Sequence, residues 1–170
     1  IEAKDYKNSK IKFDNLIKSK KVSSGAYFGR ARSYHELGNY QAALTDYKSA
    51  ISENPSNAKA HSNLGLVYGS LKNFKSSIQS LDRAIEIDPK FDHAYVNRGV
   101  ARGASGDING AISDFSKSIE INPNYATAWA NRGITLEMTG NKSGACRDWR
   151  KAAQLGRKDA QAWFKAQCNQ

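Results

Sequence analysis

Small and bulky side chains alternate along this chain at helical spacing, and the alternation recurs. Ala43, Ser77, Ala111 and Ala145 are each followed one turn later by Tyr47, Leu81, Phe115 and Trp149, and these by Ala50, Ala84, Ser118 and Ala152. A bulky residue with small ones a turn away on either side is the stripe of a helix packed closely on a neighbour. Ahead of each stripe lies a second one in the same register. It runs through Ala26, Ala60, Ala94, Ala128 and Ala162, each followed at once by a ring at Tyr27, His61, Tyr95, Trp129 and Trp163, and then through Ala31, Gly65, Gly99 and Gly133. Every series repeats at 34 residues, as do Pro55, Pro89 and Pro123. A period of that length is the mark of a helical-repeat array.

Between the two stripes of each unit stands a helix stop and turn: Gly38-Asn39, Lys72-Asn73, Gly106-Asp107 and Gly140-Asn141. The prolines close each second segment, because proline breaks a helix interior and is tolerated only in the first turn. The spacing therefore predicts four hairpins of two helices, at residues 24–57, 58–91, 92–125 and 126–159. Neither helix of a hairpin can bury its apolar face alone, so the hairpins must stack. Tyr6, Ser9, Phe13 and Leu16 fall in register with Tyr40, Ala43, Tyr47 and Ala50, so residues 1–23 read as the second helix of a preceding, truncated unit. At the other end, residues 160–170 begin Ala-Gln-Ala162-Trp163-Phe164 and turn polar, which predicts a capping helix that is apolar toward the stack and wet outside.

This pattern resembles the tetratricopeptide-repeat (TPR) family over nearly the whole chain. Tyr27, Tyr95 and Trp129, the small residues Ala31, Gly65, Gly99 and Gly133, the alanines Ala43, Ala111 and Ala145, and the prolines stand where that family's pattern wants them. The resemblance implies an all-α, right-handed superhelical solenoid of antiparallel hairpins with a C-terminal capping helix. Its function would be a non-enzymatic protein-interaction module, or scaffold. The Asn-Arg-Gly and Ile-Asn-Pro-Asn segments resemble bacterial members, which often act as scaffolds or assembly factors. Two departures stand out. Arg30, Arg98 and Arg132 replace the Leu that usually precedes the small residue, and only Leu64 keeps it. The last unit ends Leu155-Gly156-Arg157 instead of in a proline segment.

The arginines have periodic counterparts. Asp46, Asp114 and Asp148 each stand 16 residues later, whereas the unit carrying Leu64 has Ser80 there. A buried guanidinium is costly unless paired, so these are expected to be Arg–Asp ties inside each hairpin.

In TPR arrays the first helix of each hairpin lines a concave groove that takes peptide segments of other proteins. Asn63, Asn97 and Asn131 recur one turn into that helix, and a column of amides suits the main chain of an extended peptide. The competing reading has each Asn bonding a neighbouring helix end. Around the column, Phe28, Arg32, Lys59, Ser62, Leu66, His93, Val96, Val100, Ala130, Ile134 and Phe164 are expected to face the groove. The Lys/Asn clamp with which some TPR domains hold the acidic tails of chaperones is not reproduced. Phe28 and Arg32 stand where it needs Lys and Asn, and His93 where it needs Lys.

Composition and charge refine the picture. The chain has 170 residues, 39 % hydrophobic and 25 % charged, which suits a folded domain. A first residue of Ile implies a processed or trimmed chain. No apolar run is long enough for a membrane span or an intact signal peptide. The net charge of +10 is concentrated at the ends. Residues 1–23 hold seven Lys against Glu2, Asp5 and Asp14, and residues 142–170 hold seven Lys or Arg against Asp148 and Asp159. The alternative function is therefore polyanion binding, to RNA or an anionic membrane, through these ends. Tyr6, Phe13 and Trp149, which could stack on bases, are taken up by the repeat register. The partner expected is a protein or peptide rather than nucleic acid or membrane, and self-association stays open.

No catalytic constellation is present. His35-Glu36 lacks its second histidine at Asn39, and His35, His61 and His93 fall in different units, so neither a metal nor a cofactor is expected. Asn141-Lys142-Ser143 matches a glycosylation triplet but sits where Asn39 and Asn73 serve the turn. Cys146 and Cys168 admit two readings: two small buried hydrophobes, or a disulfide tying the last hairpin to the cap. The compartment stays open for this soluble chain, and the disulfide would make it extracytoplasmic.

Overall fold

The computed structural model describes residues 3–18 and 23–168. The chain divides into two compact units, residues 1–89 and 90–170. The first holds α1 (Ala3–Lys18), α2 (Ser24–Glu36), α3 (Tyr40–Glu53), α4 (Ala58–Ser70) and α5 (Phe74–Ile87). The second holds α6 (Asp92–Ala104), α7 (Ile108–Ile121), α8 (Ala126–Met138), α9 (Lys142–Gln154) and α10 (Lys158–Gln167). Those ten helices are the regular structure of the described residues, and the fold is an all-α TPR solenoid. The expectation for residues 1–23 bears on α1; residues 19–22 of that segment, with Ile1, Glu2, Asn169 and Gln170, lie outside the described residues.

Local chemistry sets the hairpins. The side chains of Asn39, Asn73, Asp107 and Asn141 accept the backbone N–H of Ala42, Ser76, Gly110 and Gly144, capping α3, α5, α7 and α9. Just before each cap the first helix ends in a left-handed residue: Gly38, Gly106 and Gly140 at φ of 75°, 95° and 79°. There the N–H groups of Gly38 and Asn39 return to the carbonyls of His35 and Tyr34, and the other turns repeat the pattern. This is the double bond of a Schellman stop. At the same place in the second hairpin stands Lys72, at φ 58°.

Within each unit the second helices pack on the first helix of their own hairpin and on the one that follows, as α3 does on α2 and α4, and α7 on α6 and α8. The two stripes read from the sequence meet face to face. A Cβ added to Gly65 would lie 2.7 Å from Leu81, and one on Gly133 2.6 Å from Trp149, so the small residue is the socket for the bulky one. Ala31, Ala43, Leu44, Tyr47, Leu64 and Val67 form the core of the first unit. In the second unit, Val96, Ala111, Phe115, Ile119 and Ala128 form one cluster, and Ala130, Ala145, Trp149, Ala152 and Ala160 another.

The C-terminal register differs from the 34-residue period. Helix α10 starts at Lys158, two residues before the place that the start of α8 at Ala126 would give. Ala160 is fully buried, whereas Ala162, expected inside, is exposed. The cause is the turn: Gly156, at φ 91°, makes the same glycine stop that elsewhere sits inside a hairpin, and this turn is shorter than the proline-containing one between hairpins. Helix α10 thus follows α9 as a second helix follows a first. Trp163 lies 6.0 Å from Trp149, ring to ring, and Cys168 is disulfide-bonded to Cys146, with their Cα atoms 5.7 Å apart.

Candidate peptide groove

The periodic arginines tie the hairpins internally. Arg30 donates from Nε and Nη2 to Asp46 at 2.6 and 2.8 Å, Arg98 to Asp114 at 2.9 and 2.6 Å, and Arg132 to Asp148 at 2.6 and 2.9 Å. Each is a two-pronged pair with a buried aspartate. Asp114 takes a further bond from Arg102 Nη1 at 2.9 Å. Sequence reading missed a third prong. Arg30 Nη1 reaches back to Asp14 on α1 at 2.9 Å, and Arg132 Nη1 to Ser116 on α7 at 3.0 Å, so one guanidinium joins three helices. A signal was present: Asp14 and Ser116 stand 16 residues before those arginines, whereas Lys48 stands 16 before Leu64.

Apart from these ties, the first-helix faces carry side chains open to a partner. In the first unit, Arg32 and Lys59 are exposed, Leu66 is 37 % exposed and Asn63 is half-buried. Asn63 lies beside the Tyr47 hydroxyl, which is buried without a well-formed hydrogen bond, and burial pushes that hydroxyl up to about 12. Phe28 packs edge-on against Tyr47, ring centroids 5.7 Å apart, and with Tyr6, Phe13, Gly29 and Arg32 borders a cavity of about 240 Å³.

In the second unit the face is apolar. Val100 is 51 % exposed and Met138 68 %. They flank a depression of about 290 Å³ between α6 and α8, with Gly99, Gly103 and Phe115 on its floor and Asn131 and Ile134 on its wall. Asn97 is half-buried on α6. His93 stands at the start of α6, its Nδ1 2.6 Å from Asp92 and its ring stacked on Tyr125 at 4.3 Å. Met138, Gly103 and Ala104 escaped the sequence reading, although Ala104 and Met138 stand one turn beyond Val100 and Ile134 on the same stripe.

Three expected groove residues are not on this surface. Ser62, Val96 and Ala130 are 2 %, 3 % and 0 % exposed. Each lies one residue before its asparagine, about 100° around the helix, and so turns into the packing. Val96 belongs to the cluster of Phe115 and Ala128, and Ala130 to that of Trp149 and Ala160. Phe164 lies half-buried under Arg150, whose guanidinium is 4.9 Å from the ring. Asn141 serves its turn, accepting from Gly144 N–H at 3.0 Å, and His61 Nε2 is 3.0 Å from the Pro55 carbonyl. Among the described residues, no cluster of His, Cys, Asp or Glu could hold a metal ion, and no helix is long and apolar enough to cross a membrane.

Stacked helical hairpins, internally braced and bearing exposed side chains on the first-helix faces, define a helical-repeat interaction scaffold. The sequence model of a family described as "TPR repeat" matches residues 31–72, and three described as "Tetratricopeptide repeat" match residues 58–91, 92–125 and 115–147. The chain belongs to the tetratricopeptide-repeat family, whose arrays are protein-interaction scaffolds. Among curated proteins, none matches its sequence. Among solved structures, a crystal structure of MamA superimposes with a TM-score of 0.79 at 22 % identity, covering 92 % of each chain. MamA from Desulfovibrio magneticus RS-1, from residue 41 to its end, gives 0.77 at 18 % identity, covering 91 % of this chain and 95 % of that one. At these identities the likeness is one of fold.

Proposed function

We propose that this chain is a non-enzymatic scaffold whose first-helix faces bind an extended or helical segment of a partner protein. The carrying observation is the depression of the second unit, where Val100 and Met138 stand exposed with Asn131 on the wall. Apolar side chains of a peptide would be buried there, at about 25 cal/mol per Å² removed from water. Met138, unbranched and polarizable, can adapt to different shapes. Asn97 and Asn131 would hold the peptide main chain with amide donors and acceptors. In the first unit the same role falls to Asn63, bordered by Arg32, Lys59 and Leu66, so that face suits a more polar stretch.

Peptides selected by display on the folded chain provide the test. Their affinity for the wild type is compared with that for Asn97→Ala/Asn131→Ala and for Met138→Asp, each checked by circular dichroism. A loss of about tenfold or more in both variants is expected. Unchanged affinities would place the binding surface elsewhere and overturn the reading.

A further inference from the structure

The second-helix side of the last hairpin carries a feature the groove does not use. Between α7 and α9 lies a largely polar cavity of about 260 Å³, bordered by Ser116, Arg132, Asn141, Arg147 and Asp148. The Arg132 guanidinium is locked in place by Asp148 and Ser116, which take three of its five N–H donors and leave two for a ligand. Arg147 borders the same cavity, is exposed, and pairs with no carboxylate among the described residues. The Ser116 hydroxyl is spent, donating to the Ile112 carbonyl at 2.7 Å while it accepts from Arg132, so the donors left are two guanidinium groups with an amide nearby, which suit a planar, doubly accepting anion.

The rest of α9 extends the charge. Lys142, Arg150 and Lys151 likewise have no carboxylate partner among the described residues, and the helix's one acidic residue, Asp148, is buried on Arg132. On α7 the outward charge is instead neutralised locally, Lys117 meeting Glu120 at 2.7 Å. The basic surface of α9 thus has no counterpart on α7, its neighbour across the cavity.

We propose that this surface binds an acidic segment of a partner protein, one carboxylate seated between Arg132 and Arg147 and others on Arg150 and Lys151. Arg147 and Lys151 lie one turn apart, about 6 Å along the helix axis. Alternate side chains of an extended strand are roughly 7 Å apart, so a stretch with an acid at every second residue matches the row. Nucleic acid would need rings to stack on, and the hairpin's rings are spent. Trp149 is 2 % exposed, Trp129 lies under Arg132 at 5.0 Å and donates to the Pro123 carbonyl, and on α10 Arg150 covers Phe164.

The full chain is titrated, by fluorescence anisotropy, into a labelled peptide of alternating Glu and Ser with an amidated end, so that no terminal carboxylate contributes. The Gln counterpart and a single-stranded RNA of equal charge run in parallel. The Glu peptide is expected to bind more tightly than either, and Arg147→Gln to weaken it by about tenfold. Arg147→Lys, which keeps the charge and loses the fork, should restore only part of the affinity. Lys7→Gln, a basic residue of α1, should change nothing. The proposal is overturned if the Glu peptide does not bind at low salt, if Arg147→Gln binds it as the wild type does, or if RNA binds as tightly and Lys7→Gln weakens both.

Discussion

Arg132 and Arg98 look equivalent in the repeat, yet their surroundings separate them. Among the described residues Asp148 bonds the guanidinium of Arg132 alone, whereas Asp114 keeps Arg102 Nη1 at 2.9 Å when Arg98 is removed. A buried carboxylate stripped of its only cation is strongly destabilising. Arg132→Leu is therefore expected to lower stability by about 3 kcal/mol in urea unfolding, and Arg98→Leu by clearly less; the reverse order would refute the pairing argument. Tyr47 gives a pH dependence. Its ordinary value is 10.0, raised by burial to about 12, so above the lower figure the unfolded chain loses this proton while the folded chain keeps it. Its contribution is intact below that figure and is lost as the pH rises through the higher one. Tyr47→Phe should flatten the alkaline limb of the stability profile. At neutral pH the change should be under about 1 kcal/mol, because the hydroxyl makes no good bond to lose.

Among the elements, the turns carry the register. Lys72 holds the left-handed conformation that glycine holds in Gly38, Gly106 and Gly140, and a side chain with a Cβ is strained there. Lys72→Gly is expected to stabilise the chain by about 1 kcal/mol, read as a raised thermal midpoint. Helix α10 has few packing residues of its own, so its link to α9 matters. The Cys146–Cys168 bond closes a separation of 22 residues. Cys168→Ser is expected to cost about 3 kcal/mol in the chain-entropy account. Calorimetry with and without reductant measures this: reductant should lower the wild-type midpoint toward that of the variant and leave the variant unmoved.

At the scale of the molecule, the two units present different faces. The first offers Arg32, Lys59 and Asn63 around Leu66, and the second offers Val100, Ile134 and Met138 around Asn131. Peptides selected on the second face should be apolar and uncharged, so Met138→Asp should weaken them while Lys59→Gln does not. If both weaken them equally, the division of roles fails. The hairpins, the bulky-on-small packing and the Arg–Asp ties were legible in the sequence because each is a fixed spacing inside one repeat, and a period repeated four times exposes such spacings. Ser62, Val96 and Ala130 were misread because a helix turns about 100° per residue. The face that meets the next hairpin lies one residue from the open one, and only packing tells them apart. Helix α10 broke the period because Gly156 replaces a longer proline turn, a change of path that a register count cannot see. Periodicity and local turn chemistry by themselves determined that this chain is an array of helical hairpins. The third prong of Arg132, the depression between α6 and α8, and the cavity that Arg147 shares with Arg132 depend on which helices lie side by side, so only the tertiary structure decided them.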